Sequence, residues 1–177
     1  ESSQMNPDIA VHDSNVYVVW QDARRGNWDI YLRRSTNNGM TFENEVRVDD
    51  TSITPTLTDD QTSQVDPEVA VSPDGTVHVV WSDDRDGRYL LYMATSDDEG
   101  KTFSSNFMVS DSNTGIQTKP HMDISAQGDI FIVWEDTRDS IGHEQIYGSF
   151  SSEGMNFDEA VRISDTSIDY YCFDPSV

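Results

Sequence analysis

The residue combination best suited to chemistry recurs three times, as Trp-x-Asp-x-Arg: Trp20, Asp22 and Arg24; Trp81, Asp83 and Arg85; Trp134, Asp136 and Arg138. A guanidinium pairs with a carboxylate through two parallel hydrogen bonds. A ring of such groups could grip a carboxylate-bearing or hydroxyl-rich ligand. Alternatively, each Asp pairs with an Arg of its own or a neighbouring repeat and fixes a loop. Repetition favours the second use, because a repeated residue serves a repeated role and catalysis breaks symmetry. Positions that break the repeat are therefore better site candidates. After successive prolines the residue changes from Asp8 to Glu68 to His121, and two further on Ala10 and Ala70 give way to Asp123. His121 and Asp123 stand two apart, on one face of a strand, and could form a hydrogen-bonded pair able to move protons. A lone strand histidine also has a plain structural use. Trp28 offers a flat surface for stacking a sugar, and Tyr89 lies near the matching place in the next repeat. The segment 49–66 is rich in Thr and Asp, including Asp59 and Asp60. Clustered carboxylates can bind calcium, but the EF-hand spacing is absent and a solvated loop is the simpler reading.

These residues are carried by an internal repeat. Pro7, Pro67, Pro120 and Pro175 are spaced by 60, 53 and 55 residues, and Trp20, Trp81 and Trp134 follow their prolines by 13, 14 and 14. Tyr31 and Tyr92 follow their Trp by 11, and Tyr147 by 13, which implies a two-residue insertion in that loop. Each repeat reads as four short strands, at 8–11, 16–20, 29–33 and 42–48 in the first copy. The second, a near-continuous apolar run, suits a strand covered on both faces. Turn residues such as Pro73-Asp74-Gly75 separate the first and second strands. No stretch has a helical period. Four antiparallel strands repeated at this interval predict an all-β protein, a single β-propeller array over 1–177. Its blades cover roughly 5–50, 65–112 and 118–166, with the first strand of a fourth at 172–177 (the motif DPSV).

The third turn of each repeat carries Ser-x-Asp-x-Gly-x-Thr-aromatic. The second copy is complete, with Ser96, Asp98, Gly100, Thr102 and Phe103. The first has Ser35, Gly39, Thr41 and Phe42, with Asn37 in place of Asp, and the third is reduced to Gly154, Asn156 and Phe157. This pattern resembles the Asp-box (BNR) repeat of the sialidase-like β-propeller family, over nearly the whole chain. The box itself has a structural rationale: the glycine supplies a positive φ and the polar side chains bond to the turn backbone. The resemblance implies an active face formed by the second-to-third-strand loops and the blade-to-blade loops, opposite the boxes. It also implies an arginine cluster, a Tyr–Glu nucleophile and an Asp acid. Here the family's Phe-Arg-Ile-Pro segment is missing, nearly all the arginines sit in recurring positions or adjacent doublets, and Tyr170 and Tyr171 have no assignable Glu. The catalytic set does not carry over.

Composition narrows the partners. With 33 acidic and 11 basic residues the formal charge is −22, which repels phosphate backbones and anionic lipid. Neither nucleic-acid binding nor membrane insertion is expected, and no apolar run approaches the ~18 residues of a bilayer span. Cys172 is the only cysteine, so an internal disulfide and a zinc cluster are excluded. No cofactor is expected, with calcium as the exception to watch. Three blades do not close a ring, so the array is either a fragment of a larger propeller or is closed by self-association, with a dimer favoured and the terminal strand open to exchange. The expected function is non-catalytic recognition of a glycan or another polar ligand, in an extracellular or periplasmic setting. The alternatives are a divergent or fragmentary sialidase-like exo-glycosidase and a structural assembly module.

Overall fold

The structure, a computed structural model, describes residues 2–50, 62–110, 114–139, 143–152 and 154–165. All regular elements among them are strands. Blade 1 comprises β1 (Gln4–His12), β2 (Asn15–Asp22), β3 (Asp29–Ser35) and β4 (Val46–Arg47). Blade 2 comprises β5 (Gln64–Val71), β6 (Val77–Asp83), β7 (Leu90–Ser96) and β8 (Phe107–Met108). Blade 3 comprises β9 (Gln117–Ile124), β10 (Ile130–Asp136), β11 (Gln145–Ser151) and β12 (Val161–Arg162). Each blade is a separate sheet whose sequence neighbours pair antiparallel, the meander expected of a propeller blade. The expected start of a fourth blade, with Cys172 and Pro175, lies outside the described residues, as do Asp59, Asp60, Tyr170 and Tyr171.

Two strand limits differ from the sequence reading. The fourth strand, expected over 42–48, is a ladder at Val46–Arg47, followed by one further backbone bond from Val48 N to Ile30 O at 2.8 Å. After the turn one backbone bond forms, from Glu43 N to Arg34 O at 2.9 Å, and the ladder resumes only at β4. The first strand is longer than expected and runs through its proline. Proline has no N–H to give the ladder, and each blade accommodates it at a bulge. The register slips between Met5 and Asp8, between Val65 and Glu68, and opposite Val133 to Glu135. The residue before each proline takes a left-handed φ: 49° at Asn6, 53° at Asp66 and 51° at Lys119.

The blades stack in series, with β1 beside β5 and β5 beside β9. The forward face of blade 1 (Tyr17, Val19, Leu32 and Val48) packs against Val69, Val79, Trp81 and Ala94 of blade 2. In turn Val80, Met93 and Val109 of blade 2 pack against Met122, Ile130, Ile132 and Trp134 of blade 3. Fully burying a side chain of this kind contributes roughly 1.5–3 kcal/mol, so each interface is a substantial core. The middle blade is sandwiched, and every residue of β6 is buried. The end blades keep one open face each. Ile9, Val11 and Phe42 are exposed on the rear of blade 1, and Phe131, Val161 and Ile163 on the front of blade 3.

Candidate functional site

The Trp-x-Asp-x-Arg motif ends the second strand of every blade and forms a brace. Trp81 Nε1 donates to Asp83 Oδ2 at 2.9 Å, and Trp134 Nε1 to Asp136 Oδ2 at 2.8 Å. Trp20 makes the same bond to Asp22 at 3.3 Å. The other carboxylate oxygen accepts the backbone N–H of Arg24, Arg85 or Arg138. Each guanidinium then returns to its own Asp and lies over a tyrosine ring: Arg24 over Tyr31 at 4.4 Å, Arg85 over Tyr92 at 4.3 Å, Arg138 over Tyr147 at 4.3 Å. Asp22, Asp83 and Asp136 have no exposed surface. Hydrogen bonds from Arg24 offset the burial of Asp22 and hold its carboxyl down at about 2. A buried carboxylate so saturated has little left to offer a ligand, and the geometry matches the loop-fixing use of the motif.

The glycine turns are likewise self-satisfied. Asp98 accepts from Thr102 N at 2.9 Å and Lys101 N at 3.0 Å, and Ser96 Oγ accepts from Gly100 N at 2.8 Å. The backbone bond from Thr102 leads the causes that lower the Asp98 carboxyl to about 2. Asn37 repeats this role toward Thr41 N, with Ser35 Oγ receiving Gly39 N, and Ser151 Oγ receives Gly154 N. Phe103 and Phe157 pack into the two interblade cores. These turns sit at the same end as the first-to-second-strand turns, since Asn38 N donates to Ser14 O at 2.9 Å. At the opposite end Gln64 N donates to Trp28 O at 2.8 Å and Gln117 N to Tyr89 O at 2.9 Å. Trp28 and Tyr89 thus hold equivalent places, each joining its loop to the next blade through the main chain.

A hollow of about 320 Å³ opens where the three first strands converge, walled by Pro7, Pro67 and Pro120. Two tiers of side chains face it. The first comprises Asn6, Asp66 and Lys119, the left-handed residues before the prolines, and the second includes Glu68 and His121. Asn6 Nδ2 donates to Asp66 Oδ1 at 2.6 Å and to Gln21 Oε1 at 3.0 Å, while Lys119 Nζ reaches Glu135 Oε1 at 3.2 Å. His121 Nδ1 lies 3.5 Å from Glu68 Oε1 of the preceding blade. Asp8 reaches across the blade boundary to accept Val69 N at 2.8 Å. Burial pushes the Glu68 carboxyl up to about 7, with the Asp8 charge adding to the effect. Burial raises Asp66 as well.

The expected partnership of His121 with Asp123 does not form. Residues i and i+2 share a face but stand ~6.6 Å apart along a strand. His121 meets Glu68 instead, while Asp123 accepts its own neighbour's N–H from Ile124 at 2.8 Å and borders a different hollow, on the open front of blade 3. Most of the loop considered for calcium lies outside the described residues. At its ends Asp49 accepts Ile30 N and pairs with Arg47, and Asp50 pairs with Arg85. Sequence reasoning passed over Gln4, Gln64 and Gln117, each three residues before a marker proline. Gln4 and Gln64 bond to Asp22 and Asp83 and tie the first strand to the brace. Their spacing was a readable signal.

No protein-family model and no curated protein matches the chain. Solved structures do. An α-L-arabinofuranosidase of Fusarium graminearum in complex with arabinobiose superposes with a TM-score of 0.71 at 16% identity, over 94% of this chain and 50% of that one. A Hadza microbial sialidase gives 0.70 at 17% over 90% and 38%. A Penicillium chrysogenum α-L-arabinanase, also with arabinobiose, gives 0.67 at 15% over 92% and 50%. The present chain therefore has the fold of part of a β-propeller, the architecture of these glycoside hydrolases, and spans half or less of each.

Proposed function

We propose that this chain is the carbohydrate-recognising part of an extracellular or periplasmic propeller, related to the Asp-box type, and that the hollow between the first strands receives the sugar. One observation carries the reading: where the fold repeats most strictly, beside the three prolines, the side chains do not repeat. Asn6, Asp66 and Lys119 form one tier, and Asp8, Glu68 and His121 hold equivalent positions in the next. Amide, carboxylate and ammonium groups held by bulged backbone are suited to hydrogen-bonding several hydroxyls of one ring. The solved neighbours hold arabinobiose on the same architecture. Titration calorimetry with arabinobiose and with sialyllactose tests this. Binding of either, weakened at least ~10-fold by Glu68→Gln, supports it. Absence of binding by both, with folded protein, rejects it.

A second reading is glycoside hydrolysis. It is favoured by Glu68, which holds its proton up to about pH 7 and is therefore poised as a general acid. It requires release of the aglycone from an aryl arabinofuranoside or sialoside, with a rate that falls above neutrality and disappears in Glu68→Gln. Binding without release assigns recognition. If neither occurs, only the assembly role remains.

A further inference from the structure

The two junctions between blades differ at the end that carries the glycine turns, where one is filled and the other is hollow. Register gives Tyr17 and His78 equivalent places on the second strands, opposite Arg34 and Thr95. His12 ends β1, and Ser72, whose N–H bonds to Thr76 O at 2.9 Å, holds the matching place after β5. Between blades 1 and 2 the larger side chains close the space. A Cβ on Gly100 would lie 3.4 Å from the Tyr17 ring, and one on Gly75 would lie 3.7 Å from His12 Cε1. Arg34 crosses the junction and donates from Nη1 to Glu99 O at 3.1 Å and to Glu99 Oε2 at 2.9 Å. Its side chain is only 8% exposed.

Between blades 2 and 3 the same three places hold Ser72, His78 and Thr95, and a hollow of about 400 Å³ replaces the lost bulk. A Cβ on Gly128, the counterpart of Gly75, would meet nothing within 4 Å. Both walls belong to blades that pack on each other through a common core. The lining is polar and mixes donors with acceptors. Hydroxyls of Ser72, Thr76, Thr95 and Ser152 are joined by the Gln127 amide. Asp74 is the one carboxylate, and no lysine or arginine lines the hollow among the described residues. His78 spans the junction, with Nε2 at 2.7 Å from Ser72 Oγ and Cε1 at 3.4 Å from where a Cβ on Gly154 would lie. The residue is only 4% exposed, and its Nδ1 is buried with no hydrogen-bond partner among the described residues. Burial keeps the ring neutral down to about pH 4, so it carries one N–H and one lone pair. A buried polar atom left unpaired is costly, and a guest that pairs with it recovers that cost.

We propose that this interblade hollow is a second ligand site and that it takes a single uncharged sugar ring. A sugar hydroxyl both donates and accepts, so a polyhydroxylated ring can pair with every group of this lining. An apolar guest would leave the four hydroxyls and Nδ1 unpaired, and an anion would meet Asp74 with no cation to offset it. A cation would find one carboxylate, itself exposed to water. The volume lies within the ~300–1,000 Å³ typical of small-molecule pockets. The site adjoins the end of β5 opposite to Pro67 and Glu68, so it stands or falls independently of the central hollow.

Nuclear magnetic resonance of the histidine ring nitrogens in the 177-residue chain tests this. His78 reports the interblade hollow and His121 the central one. Arabinose, galactose and glucose are titrated to ~50 mM, because one ring held by hydrogen bonds alone binds in the millimolar range. At least one of them shifts the His78 signals saturably. Galacturonate, which adds a carboxylate to the galactose ring, shifts them less. Thr95→Arg restores the side chain that fills the other junction and weakens the response at least ~10-fold. Gln127→Ala alters an exposed side chain, keeps the fold and weakens the response at least ~3-fold; it decides alone should Thr95→Arg fail to fold. Glu68→Gln leaves the His78 response unchanged while weakening binding in the central hollow, so the two sites fail separately. Silence of His78 toward all three sugars, a stronger response to galacturonate, or a response that survives the hollow's substitutions overturns the proposal.

Discussion

The rim and the centre of this array obey different rules. At the rim, Trp, Asp, Arg and Tyr recur in the same arrangement in all three blades, and each Asp is buried and bonded from both oxygens. At the centre, the equivalent positions carry an amide, carboxylates, an imidazole and an ammonium group, with some carboxyl protons held well above their ordinary range. Sameness at the rim reflects a shared mechanical task, since every loop there must be fixed against the same sheet edge. Variety at the centre is what one asymmetric ligand would require of a pseudo-symmetric scaffold.

Removing a rim carboxylate should have the largest effect. Asp83→Ala orphans the buried Trp81 Nε1, removes the acceptor of Arg85 N and strips Arg85 of one of its two carboxylate partners, at a cost of about 3–5 kcal/mol in urea unfolding. Glu68→Gln at the centre should cost under ~1 kcal/mol at pH 7. Equal losses at the two places would erase the distinction.

The next effect is in pH dependence, where Glu68 and His78 have opposite signs. Glu68 has a folded value of about 7 against 4.5, so the native state holds the extra proton between these values. Its contribution is present below pH 4.5 and is lost as pH rises through 7, about 3 kcal/mol in all. His78, whose Nε2 lies 2.7 Å from Ser72 Oγ, is held down to about 4 by burial, against 6.5 unfolded. Here the unfolded chain takes the proton first, and stability falls by a similar ~3 kcal/mol as pH drops from 6.5 to 4. The two slopes oppose each other between 4.5 and 6.5. Denaturation of His78→Phe should expose stability falling with rising pH, and Glu68→Gln the reverse. A flat profile for His78→Phe would remove the proton-holding Glu68 from the centre.

A smaller loss is expected at the turns. Gly100→Ala must hold a φ of 79° and press on Leu32 and Tyr17, for about 1–2 kcal/mol. Asp98→Asn should cost less than ~1 kcal/mol, because Asn37 already does the same work in blade 1. Thermal melts would rank the two, and reversal of that order would show that the turn chemistry outweighs the interblade contact.

Much of this was written in the residues. Apolar alternation, turn glycines and the Trp and Pro spacings predicted three four-stranded blades. The repetition of Trp-x-Asp-x-Arg itself argued that these groups were braces. The short fourth strand was hidden, because an apolar residue at this place fits a strand as well as it fits the contact with the neighbouring sheet, where Phe103 packs. The left-handed backbone at Lys119 was hidden too, since lysine has no local preference for it; there the bulge around Pro120 imposes the conformation.

Local periodicity therefore determined the elements, their number and the end of each blade that carries each loop, because those depend on neighbours a few residues away. The tertiary structure alone decided which groups meet. It set His121 beside Glu68 rather than Asp123, and Tyr17 beneath Gly100. Such pairs lie on different blades, and their distances follow from how sheets twist and stack, which no spacing along the chain encodes.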